Sequence, residues 1–266
     1  MSENVLARSF ESLRIDRADG IVTITIDRPD DRNALNGRVR DELKTVLPAV
    51  EDADERVAVI TGSDECNAFV AGADVTELRE RDLLEQREAS ERPRIYELVD
   101  ELDTPVVARI NGHALGGGLE LAMACDVRIA ARGGKLGQPE INLGIIPGGG
   151  GTQRLPRLVG EGQAMRLILS GELIDADEAQ DIGLVDVVCS ADDLDEEVDS
   201  LTSSIAEKSP LALEFAKESI RASSRLSLDE GIEYEAQLFV QLFATADKNE
   251  GIDAFFEQRD PVWEGK

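Results

Sequence analysis

The sequence predicts an α/β protein with a βα core over residues 1–190 and a helical C-terminal part over 191–266. Three observations carry this. Short β-rich runs alternate with segments of helical periodicity through the first part, which implies parallel βα units. Two of those runs, "RVAVITG" (56–62) and "PVVARING" (105–112), have the apolar character of buried strands. Beyond about residue 191 the pattern is helical almost throughout. No Pro/Ser/Gly-rich linker divides the two parts, and no internal repeat recurs at a fixed period.

The elements follow in order. Residues 11 to 27 alternate as two strands, "SLRIDR" and "GIVTITIDR", turned by Ala18-Asp19-Gly20 into a hairpin. Asn36 suits the N-cap of a helix whose apolar positions are Val39, Leu43, Val46, Leu47 and Val50. The charged stretch 77–103 reads as helix. A helix over 116–125, the strand "DVRIAA" and an irregular glycine-rich section over 133–151 come next. Helical stretches near 151–159, 161–170 and 175–181 lead to the short strand "GLVDVV". Ser209-Pro210 breaks the C-terminal helices, whose apolar positions include Leu228, Ile232, Leu238 and Leu242.

Composition narrows the function. The chain of 266 residues carries 55 acidic against 28 basic residues, a formal net charge of −27. A phosphate backbone would be repelled by it, and no basic stripe compensates, so nucleic acid is not an expected partner. Only six of the basic residues are lysine. An acid-coated, lysine-poor surface suits the salt-rich cytoplasm of a halophile, where ions screen the self-repulsion. The N-terminus has no apolar signal-peptide core and no segment is apolar enough to span a membrane, which predicts a soluble cytoplasmic protein. Cys66, Cys125 and Cys189 are isolated, so neither a disulfide framework nor a CxxC metal site is expected.

The glycine clusters do not fit nucleotide fingerprints. In GxGxxG register, Gly116 and Gly118 are followed by Leu121, and Gly148 and Gly150 by Gln153; no GK[ST] is present. There is no GxSxG elbow, and the single histidine, His113, rules out a histidine-based zinc site and reads as a packing or turn residue. Glu120 stands out in "NGHALGGGLELAMACD" (111–126), a carboxylate among apolar residues directly after three glycines. One turn into its helix, its charge gains from the helix's unpaired amides and dipole, unless the side chain points to solvent. Glu140 lies in a second glycine-flanked segment, "GQPEINLGIIPGGGGTQRLPRLVG". Two such carboxylates suit an acid/base pair with divided pKa values, although linear spacing leaves open whether they meet.

Five stretches together resemble the enoyl-CoA hydratase/isomerase (crotonase) superfamily: "RPDDRNALN" (28–36), "NAFVAGADVTEL" (67–78), "TPVVARINGHALGGGLELAMACDVRIA" (104–130), "GQPEINLGIIPGGGGTQRLPRLVG" (137–160) and "FATADKNEGIDAFFEQRDPVW" (243–263). The resemblance implies a superhelix of ββα units, a C-terminal region that packs a homotrimer or a hexamer, and an acyl-CoA thioester substrate. Coenzyme A is then part of the substrate, and no separate cofactor or metal is implied. It further implies that the thioester oxygen is held by the backbone N–H groups of Ala73 and Gly117. Glu120 and Glu140 match the paired glutamates of true hydratases, Glu120 as base and Glu140 as acid, with Gly148 placing the water. Arg32, Ala34, Leu35, Asp74 and Val75, with Ala73, match the coenzyme A segments, and Leu78, Leu83 and Leu84 the acyl tunnel. The family's C-terminal basic pair is reduced here to Glu257-Gln258-Arg259. The implied reaction is reversible hydration of 2-trans-enoyl-CoA to 3-hydroxyacyl-CoA. The alternatives are Δ3,Δ2-enoyl-CoA isomerisation, dehydration of 3-hydroxypropionyl-CoA and, in another class, the RNA binding of some members, which the acidic surface opposes.

Overall fold

The computed structural model describes residues 3–266. Its strands are β1 (Leu13–Ala18), β2 (Ile21–Ile26), β3 (Val57–Gly62), β4 (Ala68–Val70), β5 (Val106–Ile110), β6 (His113–Leu115), β7 (Val127–Ala131), β8 (Lys135–Gly137), β9 (Leu173–Asp175) and β10 (Val187–Cys189). They form two sheets, in the orders β1-β2-β3-β5-β7-β10 and β4-β6-β8-β9. β1 and β2 form the expected antiparallel hairpin, in register Ala18 opposite Ile21, which leaves the two-residue turn Asp19-Gly20. From β2 to β10 the larger sheet is parallel.

Consecutive strands feed the two sheets in turn. β3 runs into β4, β5 into β6 and β7 into β8, the first of each pair joining the larger sheet and the second the smaller. The chain thus does repeat a ββ unit, which no fixed period in the sequence reveals. The unit's second strand is three residues long and its spacing changes because the helical insertions differ in length. Each crossing carries a glycine where backbone approaches backbone. A Cβ on Gly62 would lie 2.2 Å from the Phe69 carbonyl oxygen, on Gly112 2.5 Å from the Ala68 nitrogen, and on Gly134 2.4 Å from the Gly112 oxygen. Any side chain there would force the stacked crossings apart. β6, β8 and β9 were not expected; the section 133–151 was expected to be irregular, but opens with β8.

Alternation along the larger sheet sorts side chains to its two faces. Ala58, Ile60, Val106, Ala108 and Ile110 enter the main core, which the Gly37–Glu51 helix also lines through Val39, Leu43, Val46, Leu47 and Val50. Val57, Val59, Val107 and Ile129 face a second cluster covered by Leu194 and Val198 of the Leu194–Ala206 helix. Covered on both sides, β3 is buried at every position. Ile60→Ala would cost about 2–5 kcal/mol. Asn36 caps its helix as expected, its side-chain oxygen accepting the Val39 N–H at 2.9 Å.

The stretch 77–103 is not one helix but three: Val75–Glu80, Leu83–Ala89 and Ile95–Glu101. Asp82 starts the second with a capping box, accepting from the Leu84 and Glu85 amides while Glu85 accepts from the Asp82 amide. Pro93 lies ahead of the third and cannot continue a helix. Beyond the sheet, the helices Pro210–Ala222, Leu228–Leu242 and Ala246–Glu257 leave large apolar side chains exposed, among them Leu228, Phe239, Val240, Phe255 and Phe256.

Candidate active site

A cavity of about 1210 Å³ opens where β4, β6 and β8 deliver their next segments. Ala73 follows β4, Gly117 heads the Gly117–Ala124 helix after β6, and Glu140 follows β8 in the 3-10 turn Pro139–Leu143. All three line the cavity, as do Glu120, Gly148, Gly149 and Tyr96. A Cβ on Gly117 would stand 3.6 Å from the Ala73 nitrogen and 3.0 Å from the Tyr96 hydroxyl oxygen. Among the described residues no hydrogen bond takes up the N–H of Ala73 or of Gly117, whose position in the first helical turn leaves it without an intrahelical acceptor. Two amides without a hydrogen-bond partner among the described residues therefore lie close together on the cavity wall.

Glu120 is only 2% exposed, so it does not point to solvent. Its Oε1 accepts N–H bonds from Gly149 and Gly151, both at 2.7 Å. The amides that hold the charge thus belong to the start of a different helix, Gly151–Val159, and not to its own as the sequence suggested. A Cβ on Gly149 would fall 2.6 Å from Oε2 of Glu120 and 2.4 Å from the Tyr96 ring, so glycine is required there. Two arginines brace this turn from behind. Arg94 donates to the Gly148 carbonyl and pairs with the buried Glu97, while Arg154 donates to the Gly149 carbonyl at 3.1 Å and pairs with Asp100 at 3.3 Å. Burial raises the Glu120 carboxyl above its ordinary range, and the two amides with Arg94 and Arg154 pull it back.

Glu140 has a different setting. Its Oε2 is buried with no hydrogen-bond partner among the described residues, and its Oε1 occupies the room that glycine leaves at position 116, 2.7 Å from where a Cβ would lie. Burial pushes its carboxyl up to about 7; its own amide works against this, and the charge of Glu120 adds to it. The two carboxyl groups line one cavity, one raised to about 7 mainly by burial and the other accepting two amide N–H bonds.

The segments matched to coenzyme A lie side by side. Leu35 and Ala73 form an isolated parallel bridge, in which the Leu35 N–H donates to the Gly72 oxygen and the Asp74 N–H to the Leu35 oxygen. Asp74 caps the Val75–Glu80 helix; burial opposes its charge, yet the Thr76 and Glu77 amides and Arg28 hold its carboxyl below the usual range. Val75, Leu78 and Leu83 line the cavity. Arg32 is exposed, Ala34 and Leu35 lie beside it in the bridged segment, and none of the three forms the cavity wall, nor do Asp74 and Leu84. Arg259 is paired with Glu250 at 2.6 Å and Glu257 at 2.7 Å, so the one cation left of the C-terminal basic pair is engaged within its own chain. His113 accepts the Lys135 N–H at Nδ1, a packing role away from the cavity wall.

The profile of the enoyl-CoA hydratase/isomerase family matches residues 16–266. The chain is 42% identical over 258 residues to the 2,3-dehydroadipyl-CoA hydratase of Escherichia coli, covering 97% of this chain and 100% of that one. It is 41% identical to the crotonyl-CoA hydratase of Syntrophomonas wolfei, over 94% and 97% of the two chains. The crystal structure of enoyl-CoA hydratase from Bacillus anthracis superposes with a TM-score of 0.92 at 40% identity, covering 96% and 100%. The chain belongs to the enoyl-CoA hydratase/isomerase family.

Within this enoyl-CoA hydratase/isomerase chain, several residues of the site escaped the sequence reading. Tyr96, Arg94 and Arg154 sat in stretches that read as charged helix, and their partners in the glycine turn lie dozens of positions from Tyr96 and Arg94. One signal was available: Tyr96 is one of only two tyrosines, placed between Arg94 and Glu97 in a stretch with few aromatic residues. Gly149 and Gly151 were visible only as members of the run "GGGG".

Proposed function

We propose that the chain hydrates 2-trans-enoyl-CoA thioesters to 3-hydroxyacyl-CoA. The observation that carries this is one cavity holding two carboxyl groups in opposite settings beside two open amides. The N–H groups of Ala73 and Gly117 hold the thioester oxygen as the enolate-like charge develops. Glu120 takes a proton from water as its oxygen attacks C3, and Glu140 delivers its proton to C2; transfer between the two carboxyls resets them. Gly148, on the cavity wall, helps place the water. Both steps run in reverse for dehydration.

Ala73 and Val75 on the cavity wall, with Arg32, Ala34, Leu35 and Asp74 in the segments behind them, take the coenzyme A part of the substrate, and Leu78 and Leu83 on the wall, with Leu84 beside them, its acyl part. The exposed apolar faces of the C-terminal helices, within the region 191–266, pack a homotrimer or hexamer. The charge of −27 supports the reading of a cytoplasmic protein from a salt-accumulating halophile. Among the described residues no helix is long and apolar enough to cross a membrane. Light scattering across KCl concentrations checks assembly and salt demand together: monomer at every concentration would overturn the first, and full stability in dilute buffer the second.

The test of the reaction is the loss of the conjugated thioester absorbance of crotonyl-CoA. Glu120→Gln and Glu140→Gln should each slow it about 10²- to 10⁴-fold. Unchanged hydration in both variants would sink the two-carboxylate mechanism.

A further inference from the structure

Tyr96 has no part in the mechanism above, yet its hydroxyl reaches the reacting centre. The space that a Cβ on Gly117 would fill has the Tyr96 hydroxyl oxygen at 3.0 Å, the Leu35 side chain at 3.5 Å and the Ala73 nitrogen at 3.6 Å. Both proposed oxyanion donors border that space, and the phenol oxygen borders it too. The hydroxyl makes no hydrogen bond among the described residues, and Tyr96 lines the cavity. A phenol O–H in such a place ordinarily finds a partner, and the cavity is where one would arrive.

The ring is fixed as a positioned donor needs to be. It is carried by the Ile95–Glu101 helix, its edge lies against Gly149, and the Arg94 guanidinium lies 5.8 Å from its centre. Arg94 is in turn held by Glu97 and the Gly148 carbonyl. We propose that the Tyr96 hydroxyl donates a third hydrogen bond to the substrate's thioester oxygen, beside the amides of Ala73 and Gly117. The proposal rests on the hydratase reading. The groups that face the phenol are Glu120, Arg40, Arg94 and Glu140. Burial, with the carboxylate of Glu120, raises its pKa, so it keeps its proton and acts as a donor. As negative charge grows on the thioester oxygen this bond strengthens, so its effect belongs to the rate more than to binding.

Tyr96→Phe deletes the one oxygen and keeps the ring. In crotonyl-CoA hydration kcat should fall at least about 10-fold with KM changed less than about twofold, as for loss of an oxyanion donor. The melting temperature should not move, because the hydroxyl has no partner among the described residues. A cinnamoyl-CoA thioester with a para-amino donor supplies a readout independent of turnover: donors on the carbonyl pull its absorbance band to the red. Tyr96→Phe should diminish the red shift of the bound thioester, and Glu120→Gln should retain it while slowing hydration about 10²- to 10⁴-fold. A smaller loss of kcat, or an undiminished shift, overturns the proposal. Full hydration by Glu120→Gln would instead overturn the hydratase reading, whatever the band does.

Discussion

The two walls of the cavity carry the same functional group in contrasting surroundings. On one wall Glu120 receives two backbone N–H bonds and the field of two arginines. On the other, Glu140 keeps a buried oxygen without a donor. The difference is one of setting: amide donors and arginines favour the ionised form of a carboxyl, and burial without them favours the protonated form. The supports differ too. Glu120 is held by a turn that is itself clamped by Arg94 and Arg154, whereas Glu140 sits on a single 3-10 turn.

The most severe way to break the contrast is Gly149→Ala. Its Cβ would meet the Tyr96 ring at 2.4 Å and Glu120 Oε2 at 2.6 Å, so the amides could not keep their aim. Hydration should fall about 100-fold, and overpacking should cost about 1–3 kcal/mol, read by rates and denaturant unfolding. An alanine variant with intact kcat would show that the glycine turn does not hold Glu120.

A second test titrates the contrast. With Glu140 as the acid, kcat/KM should decline as pH rises through about 7, where its proton leaves. A flat profile from pH 6 to 9 would remove Glu140 from that role.

The smallest effect is on stability, and its sign is fixed by linkage. Because the folded carboxyl titrates near 7 and the ordinary one at 4.5, the folded state binds the proton more tightly. Stability is therefore lost as pH rises from about 4.5 through about 7, and the loss is complete above that. Glu140→Gln removes the ionisation, so it should stabilise the fold by about 1–3 kcal/mol at pH 8. At pH 4 it should change little. Equal melting temperatures for both chains at pH 8 would place Glu140 in water.

What the sequence disclosed depended on how local the cause was. Asn36, the Asp19-Gly20 turn and the helices from 151 to 181 are governed by caps, turns and periodicity within a few residues, and they lie close to where those signals put them. β6 and β8 are three residues each and exist because neighbouring strands pair with them, a cause hundreds of atoms away along the chain. The capping box at Asp82 was local and could have been read. Glu120 drew notice by chemistry alone, but its donors come from 29 and 31 positions onward. Its partnership with Glu140 was reached through resemblance.

The parallel pairing of β4, β6 and β8 acts as a ruler. Ala73, Gly117 and Glu140 are the issue of three adjacent strands, whose separation of about 4.8 Å is set by backbone hydrogen bonds and not by side chains. Three positions of the cavity wall are thus graduated across the sheet, one strand to each. Surface sequence can drift toward extreme acidity without altering that graduation, since its spacing is kept by the backbone.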